Sequence, residues 1–329
     1  MINGVINVYK EAGFTSHDVV AKMRGILKTK KIGHTGTLDP EAEGVLPICV
    51  GNATKLVDLL TDETKEYEAV LRLGVVTDTQ DMTGKVLEEH YDEALTLHDH
   101  TIRDAIMKFE GESMQIPPMY SALKVNGQKL YDLARKGIEV ERKPRRVVID
   151  EIEMMDVDLD GGLHNTDNSG GENGLHNENH YVNKKIRVVC SKGTYIRTLI
   201  HDIGQVLGCG ASMEYLERTA VGRFKKKDAL TLSEIQKLAD EDSLHKFITP
   251  VDVILDNYPA LHAAPEAAKA LDNGNQLPED MIVEHRIGYG MLTARKVYRI
   301  YSYDNQFYGL YEYHSGWKVL KPVKMFLNS

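Results

Sequence analysis

The stretch that most constrains the fold is GHTGTLDPEAEGVLPI, residues 33–48. It contains three glycines and two prolines in sixteen residues, which indicates a rigid, irregular backbone rather than a continuous helix or strand. Asp39 lies directly before Pro40, and two interpretations of it are open. Aspartate followed by proline favours the start of a helix, with Asp39 as the N-cap. A carboxylate held out on a rigid loop is also typical of a catalytic nucleophile or base.

The segments around this stretch predict both strands and helices. Residues 5–9 and 67–73 have the apolar pattern of strands, and residues 16–27 have the spacing of a helix that Ser16 would cap. Further elements are predicted on the same grounds: a short helix at 130–134, strands at 146–158 and 185–191, a helix that Thr194 would cap and Gly208 would end, and a helix at 232–239 begun by Ser233. The chain therefore mixes strands and helices.

Residues 158–183 differ from the rest of the chain in composition. The segment is rich in asparagine and glycine, contains a crude GLHN repeat and offers almost nothing to bury. We expect a disordered loop inserted between two strands. Its histidines, His164, His176 and His180, could suggest a metal site, but they lack a fixed backbone and a cysteine partner, which disfavours that interpretation.

The net charge of −9 would argue against a nucleic-acid partner, but the charges are unevenly distributed. Residues 151–183 hold eight acidic residues and no lysine or arginine, so the rest of the chain has a net charge of only −1. Three basic clusters stand on this nearly neutral background: Lys28, Lys30 and Lys31; Arg142, Lys143, Arg145 and Arg146; Arg223, Lys225, Lys226 and Lys227. Each alone is compatible with a solvated loop, and together they favour a phosphate-binding face.

The C-terminal part of the chain predicts a small all-β module. Strand-like runs at 296–303, 307–313 and 317–326 are joined by turns. Residues 284–329 contain seven basic residues against three acidic ones. Seven aromatic residues are interleaved with these cations: Tyr298, Tyr301, Tyr303, Tyr308, Tyr311, Tyr313 and Trp317. We expect about half of the rings in a barrel core and the others facing outward, where rings and cations suit contacts with RNA.

Several classes of protein are disfavoured. No run approaches the roughly 18 apolar residues of a membrane-spanning helix, and residues 1–10 show no signal-peptide pattern. Cys49, Cys190 and Cys209 form no CxxC pair and are too few for a disulfide scaffold, which favours a reducing cytoplasm. The sequence has no P-loop, dinucleotide-binding fingerprint or HExxH motif. A metal site at His98-Asp99-His100 is also disfavoured, because this stretch is expected on an acidic surface.

Residues 33–44, with Asp39 among them, resemble the signature loop of the bacterial tRNA pseudouridine-55 synthase family, also called the pseudouridine synthase B family. Further motifs resemble that family in the expected order: KEAGFTS at 10–16, KEY at 65–67, QIPPMYSALK at 115–124, GQKLY at 127–131, SKGTYIRTL at 191–199 and YLERT at 215–219. Glu11 departs from the pattern, since a proline is frequent there. The resemblance covers nearly all of the chain except 158–183. The C-terminal module is similar, more weakly, to the family's RNA-binding PUA domain.

The resemblance implies roles for particular residues. Asp39 would be the catalytic nucleophile, and Arg197 would pair with it and orient it through a bidentate contact. Tyr67 would stack on the flipped base and could assist removal of the proton from C5. Tyr195 and Leu216 would line the pocket, and His34 would enter the space that the flipped base leaves. Uridine and pseudouridine are isomers, so no cofactor is implied.

The resemblance also implies an α+β fold. A catalytic domain at 1–246, around a central antiparallel or mixed sheet, would be followed by a PUA-like β-barrel at 247–329. The implied reaction is isomerisation of uridine to pseudouridine at position 55 in the T loop of tRNA, with the T arm as partner, by a monomeric cytoplasmic enzyme without membrane contact.

Two other functional classes stay open. One is a tRNA-binding or tRNA-folding factor that performs no chemistry, although a pure binder would need none of Asp39, Tyr67 and Arg197. The other is a metal hydrolase, for which the sequence lacks ligand spacing.

Overall fold

The computed structural model describes residues 2–125, 127–155, 181–286 and 292–327, with the backbone alone at 285 and 286. Its strands are β1 (Gly4–Lys10), β2 (Ile32–His34), β3 (Glu43–Val50), β4 (Lys65–Leu73), β5 (Val75–Thr77), β6 (Val86–Glu89), β7 (Gly111–Gln115), β8 (Lys124–Val125), β9 (Gln128–Lys129), β10 (Arg145–Met155), β11 (Val182–Cys190), β12 (Ala211–Val221), β13 (Phe224–Lys225), β14 (Ile248–Thr249), β15 (Ala260–His262), β16 (Leu277–Pro278), β17 (Val297–Tyr301), β18 (Phe307–His314) and β19 (Val319–Met325). Its helices are α1 (Ser16–Leu27), α2 (Val57–Thr61), α3 (Tyr91–Leu95), α4 (Asp99–Met107), α5 (Leu130–Ala134), α6 (Ile196–Leu207), α7 (Leu232–Asp240), α8 (Val251–Ile254), α9 (Ala268–Asp272) and α10 (Val283–Arg286).

Most of the chain is organised around one mixed sheet. Within the described residues this sheet has ten strands, in the order β14-β1-β3-β12-β4-β11-β10-β7, with β2 added to β3 and β13 to β12. The pairing of β3 with β12 is parallel, and the other ladders of the sheet are antiparallel. Helix α6 packs on one part of the sheet, and α1 and α7 pack together on another. The predicted α+β fold class is therefore confirmed.

The structure corrects the predicted N-cap residues of α1 and α7. Thr15, not Ser16, caps α1, because its hydroxyl accepts the Asp18 N–H while the Asp18 carboxylate accepts the Thr15 N–H. Helix α7 is capped in the same way by Thr231, with Glu234 as its partner. These cap residues come one or two positions before the predicted ones.

Helix α6 has no side-chain cap at its N-terminus. The predicted cap, Thr194, instead donates its hydroxyl to the Ser191 carbonyl, and Tyr195 occupies the cap position. Gly208 ends the helix in the left-handed conformation, as predicted, with a φ of 78°. The first turn of α6 is therefore held by contacts with other parts of the chain, which bear directly on the candidate site.

The expected disorder of the 158–183 insertion concerns residues that lie mostly outside the described part of the chain. Strand β11 begins at Val182, earlier than the predicted Lys185, and pairs antiparallel with β10, so that Met155 is opposite Lys185. The ring of Tyr181 packs edge-on against Tyr91, 5.3 Å between centroids. The two strands that flank the insertion are therefore neighbours in the sheet.

Replacing residues 158–178 with a short glycine-serine linker is expected to leave the melting temperature and turnover nearly unchanged. The ladder between β10 and β11 fixes the register without the insertion, and the cost of closing a loop changes slowly with its length. Thermal melting of the shortened protein, and assays of the RNA modification that the sequence resemblance implies, check this expectation. A large loss of RNA modification with an unchanged melting temperature would show that the insertion contacts the substrate.

The C-terminal module is a five-stranded sheet, within the described residues, in the order β15-β17-β18-β19-β16. Four of the predicted aromatic residues are buried in its core, namely Tyr298, Tyr308, Tyr311 and Tyr313. Tyr303 and Trp317 are exposed, so the expected division of the rings between core and surface is confirmed. The predicted boundary after residue 246 stays a prediction; β14, just beyond it, pairs with β1 of the main sheet.

The module packs against the segment between β3 and α2. The Phe326 carbonyl accepts a hydrogen bond from the Asn52 side chain at 2.6 Å, and the Met325 carbonyl accepts one from Lys55 Nζ at 2.6 Å. Leu310 and Phe326 join the apolar cluster that also contains Val45. The C-terminal end of β19 therefore faces the main sheet.

Candidate active site

Asp39 lies in the loop between β2 and β3, and no helix begins there, so its interpretation as a helix N-cap is wrong. Its two neighbours are both anchored. Ser16 Oγ accepts the Leu38 N–H at 2.9 Å, and the Pro40 carbonyl accepts Lys10 Nζ and the Gly13 N–H, both at 2.9 Å. The backbone on either side of Asp39 is thus held by the start of α1 and the end of β1, and the carboxylate projects from a fixed loop.

Lys10 is fully buried at the end of β1. Burial lowers the pKa of its ammonium to about 8, an effect that the carboxylates of Glu43, Glu41 and Asp39 partly oppose. Its hydrogen bonds to the carbonyls of Glu11 and Pro40 satisfy the amine inside the protein. A buried cation so placed ties the Asp39 loop to the main sheet.

The other end of the loop depends on Gly44. Its φ of 108° is in a region that favours glycine, and a Cβ at this position would collide with the Arg218 backbone carbonyl. This close approach allows β3 and β12 to pair in parallel, with Gly44 opposite Arg218. The Arg218 side chain is also buried, and its Nε donates to the Val45 carbonyl at 2.7 Å.

Arg197, in the first turn of α6, contacts Asp39 directly. Its Nε lies 2.9 Å from Asp39 Oδ2; the arginine side chain is 4% exposed and the aspartate 40% exposed. The predicted bidentate contact is not what the structure shows. Nη1 donates to the Thr79 carbonyl at 2.9 Å and Nη2 donates to the Tyr120 carbonyl at 2.7 Å, while Asp81 Oδ2 lies 3.6 Å from Nη1. The guanidinium is therefore fixed by hydrogen bonds to two other chain segments, and it faces Asp39 through one close ion-pair contact at Nε.

Tyr67 lies on β4, directly opposite Arg218 on β12. The phenol is buried, and this burial raises its pKa above the ordinary value even though the Arg218 guanidinium beside it acts in the opposite direction. Leu216, two residues before Arg218, is buried in the same apolar cluster as Tyr67 and Leu38. These side chains form an apolar wall next to the carboxylate.

Tyr195 lies just before α6, next to Arg197. The Gln115 side chain, at the end of β7, clamps its backbone: Oε1 accepts the Tyr195 N–H at 2.8 Å and Nε2 donates to the Tyr195 carbonyl at 3.1 Å. Gln115 thus binds the N–H of the N-cap residue, which in a capping box is bound by the N3 side chain. The Tyr195 ring is half-buried, and burial raises its pKa.

His34 is at the end of β2, close to His17 of α1. Their ring centroids are 5.3 Å apart in an edge-on arrangement, and His34 Nδ1 accepts the Gly36 N–H at 3.4 Å. Burial lowers the pKa of the imidazole, with further lowering from His17 and Arg218. The ring is therefore expected to be neutral at pH 7.

The lowered pKa of His34 has a measurable consequence for stability. Above the ordinary histidine pKa of about 6.5 the ring is neutral in both states, whereas at lower pH the unfolded chain takes up the proton first. The wild-type protein should therefore lose stability relative to His34→Gln as the pH falls below about 6.5. Urea denaturation between pH 7.5 and 5.5 measures this difference, and NMR titration should find that His17→Gln raises the pKa of His34. A stability difference that stays constant over this pH range would contradict the assignment.

Several residues that hold the site in place were not predicted as site residues from the sequence. Four of these contributors lie inside the quoted motifs, namely Lys10, Ser16, Gln115 and Arg218. The sequence analysis gave them no role in the site, apart from the N-cap wrongly assigned to Ser16. Asp81 lies outside the motifs. The sequence did contain a signal that could have identified some of them, namely a charged or polar residue within an otherwise apolar strand or at the start of a helix. Such a residue is rarely buried unless it is paired.

Comparisons with known proteins identify the family. Residues 24–196 match the profile of the TruB family pseudouridylate synthase N-terminal domain, and residues 197–256 match the tRNA pseudouridylate synthase B C-terminal domain. The chain belongs to the TruB family of pseudouridylate synthases. As a member of this family it is an enzyme, an isomerase that forms pseudouridine.

The similarity to individual TruB proteins extends over the whole chain. The tRNA pseudouridine synthase B of Lachnoclostridium phytofermentans is 48% identical over 99% of this chain and 100% of its own length. That of Clostridium acetobutylicum is 40% identical over 97% of this chain and 99% of its own length. Among solved structures, a chain in the crystal structure of a Cbf5-Nop10-Gar1 complex is 27% identical, with a TM-score of 0.65 over 98% of this chain and 85% of that chain.

The structure brings five of the six predicted site residues of this synthase to one region around Asp39. The sixth, His34, is connected to this group through Arg218. Asp39 contacts Arg197, and its charge also acts on Tyr67 and Tyr195. Leu216 packs with Tyr67, and Arg218 connects this group to His34 through its influence on both of their pKa values. In the part of the chain that the structure describes, no helix is long and apolar enough to cross a membrane.

Proposed function

We propose that this synthase converts uridine to pseudouridine at position 55 in the T loop of tRNA, with Asp39 as its nucleophile. The observation that carries the proposal is the Asp39 carboxylate itself: it is accessible, it is fixed through both neighbouring residues, and one oxygen is held by a buried arginine. Relatives named tRNA pseudouridine synthase B, with nearly full-length similarity, support tRNA as the substrate.

The chemistry requires one bond to break and another to form. The C1′–N1 bond is cleaved, the uracil turns, a C1′–C5 bond forms, C5 loses its proton and N1 gains one. A carboxylate can attack the sugar or the base, or stabilise charge while the uracil is detached. Atoms balance between substrate and product, so the scheme needs no external group. The base must leave its stack in the folded T loop to reach Asp39.

Asp39 Oδ2 is occupied by Arg197 Nε, so Oδ1 is the oxygen we assign to the reacting atom. Pre-orientation of this kind removes part of the entropic cost of reaching the reactive geometry. The Arg197 plane is set by the Thr79 and Tyr120 carbonyls as well as by Asp39, which keeps the guanidinium from following the carboxylate if it moves.

Tyr67 and Tyr195 would hold the flipped uracil. Their raised pKa values favour neutral phenols, so we assign to Tyr67 stacking on the bound uracil and hydrogen bonding rather than ionic contacts. Its predicted part in removing the C5 proton stays a prediction. Leu216 would supply an apolar contact to the edge of the ring, and His34 would fill the space that the base leaves.

The remaining surface would contact the RNA backbone. Several cations of the three basic clusters are already paired with carboxylates: Arg142 with Glu139, Arg146 with Glu112, Arg223 with Asp256 and Lys226 with Glu217. Lys28, Lys30, Lys143 and Arg145 are exposed and are better placed to reach phosphates. We further propose that the enzyme acts as a monomer in the cytoplasm and binds the T arm of tRNA.

Mapping the modified position tests the proposal. A tRNA transcript incubated with the enzyme should acquire pseudouridine at position 55, and a transcript with cytidine at that position should acquire none. Addition of a chelator should leave the rate unchanged. Pseudouridine at another position would overturn the site assignment, whereas tight binding without any pseudouridine would favour the alternative, a tRNA-binding or tRNA-folding factor.

A further inference from the structure

We propose that the turn between β18 and β19 is a subsite for an unpaired nucleotide of the RNA, whose base stacks on Trp317. Trp317 is the only tryptophan of the chain and is 67% exposed at this turn. An isolated exposed aromatic residue needs no explanation, but this one is surrounded by groups that suit a nucleotide. The inference rests on the proposed function in taking the RNA to be a tRNA.

The first such group is Lys321. Its Nζ lies 3.5 Å from the centroid of the Trp317 ring, and the ammonium forms no ion pair with any residue of the described part of the chain. A cation above an aromatic face is a favourable but readily exchanged contact at an exposed site. A base that stacks on the ring would displace the ammonium, which could then bind the phosphate of the same nucleotide.

The second group is His314, whose ring lies nearly parallel to the indole, with 20° between planes and 5.7 Å between centroids. Together with Arg295 and Tyr313, these rings line a shallow cavity of about 210 Å³. Arg295 Nη1 and His314 Nε2 both contact the Glu312 carboxylate, at 3.2 and 3.4 Å. Glu312 limits the positive charge here, so stacking rather than charge alone must supply the specificity for a nucleotide.

The position of the turn indicates which nucleotide it would bind. The opposite end of the β18-β19 hairpin contacts the segment between β3 and α2, through the carbonyls of Met325 and Phe326. Because β18 has eight residues, the turn lies roughly 20 Å farther out along the module. The nucleotide at Trp317 is therefore separate from the uridine at Asp39, and we assign it to an unpaired position outside the T arm.

Fluorescence of the wild-type protein provides a direct readout, because Trp317 is its only tryptophan. Titration with a full tRNA transcript should quench the emission, and an isolated T-arm hairpin should quench it much less. Since stacking of one base contributes about 1–3 kcal/mol, Trp317→Ala should raise the Kd for tRNA by about 5- to 150-fold, while Trp317→Phe should keep most of the affinity. The kcat at saturating tRNA should stay unchanged while KM rises.

Tyr303→Ala is the matched control: Tyr303 is 65% exposed in the other hairpin turn of the same module, and although the sequence alone groups it with the rings that suit RNA, it lies outside the proposed subsite. This variant should bind tRNA within twofold of wild type. Lys321→Met should reduce the slope of log K against log salt by close to one. An unquenched Trp317 with bound tRNA, or a Trp317→Ala Kd within twofold of wild type, would overturn the subsite. If the wild type forms no pseudouridine but quenching occurs, the proposed function fails and the subsite stands.

Discussion

Asp39→Asn is expected to reduce pseudouridine formation by on the order of 10³-fold or more while RNA binding is retained. The amide has nearly the size of the carboxylate and keeps an oxygen that can face Arg197 Nε, but it cannot act as a nucleophile or base. The Leu38 and Pro40 anchors of the loop do not involve the Asp39 side chain. Because Asp39 is 40% exposed, loss of its ion pair should cost at most about 1 kcal/mol of stability.

Glu41→Gln provides the matched control for this variant. Glu41 is an exposed carboxylate two residues along the same loop, and the substitution makes the same chemical change. It should leave turnover within twofold of wild type. Circular dichroism and filter binding on both variants establish that fold and RNA affinity are intact. If Asp39→Asn and Glu41→Gln had similar turnover, the carboxylate at position 39 would not be the reacting group.

Arg197→Lys is expected to impair both the reaction and the fold. A lysine ammonium cannot reach Asp39 and the carbonyls of Thr79 and Tyr120 in the planar arrangement that the guanidinium provides. A buried carbonyl left without its donor costs about 1–3 kcal/mol, so a clear fall in melting temperature is expected. The rate should fall by roughly 10²-fold or more, because the Asp39 oxygen is no longer held in position.

Arg187→Lys separates a specific effect from a general one. Arg187 on β11 also contacts several carboxylates, Glu66, Glu151 and Glu153, but lies away from the Asp39 loop. Its replacement should alter stability modestly and leave kcat unchanged. A folded Arg197→Lys protein with a wild-type kcat would show that the arginine has no part in orienting Asp39.

The elements that sequence patterns predicted well are those with strong local signals. Helix α1 spans the residues expected from its apolar spacing, and α6 ends at the glycine expected to end it. The proportion of buried to exposed rings in the C-terminal module was also predicted, but the expected reason was wrong: Tyr303 and Trp317 are exposed because they lie in hairpin turns, not on the outward face of a strand.

Features that depend on distant contacts could not be predicted in this way. Thr15 and Ser16 are both good caps by local rules, and the choice is made by Leu38, which takes the Ser16 hydroxyl. Gln115 holds the start of α6 from 80 residues away. Arg197 donates hydrogen bonds to two carbonyls from separate loops and contacts Asp39 through Nε alone, so the bidentate pair expected from the sequence does not form.

The most direct test of the central claim is the single-turnover rate of tritium release from tRNA labelled at C5 of uridine, measured with enzyme in excess over RNA. Under these conditions the RNA is bound, so the rate reports chemistry rather than affinity. The account predicts rapid release by the wild type and by Glu41→Gln, and release at the background rate by Asp39→Asn. Release by folded, RNA-bound Asp39→Asn at the wild-type rate would contradict it.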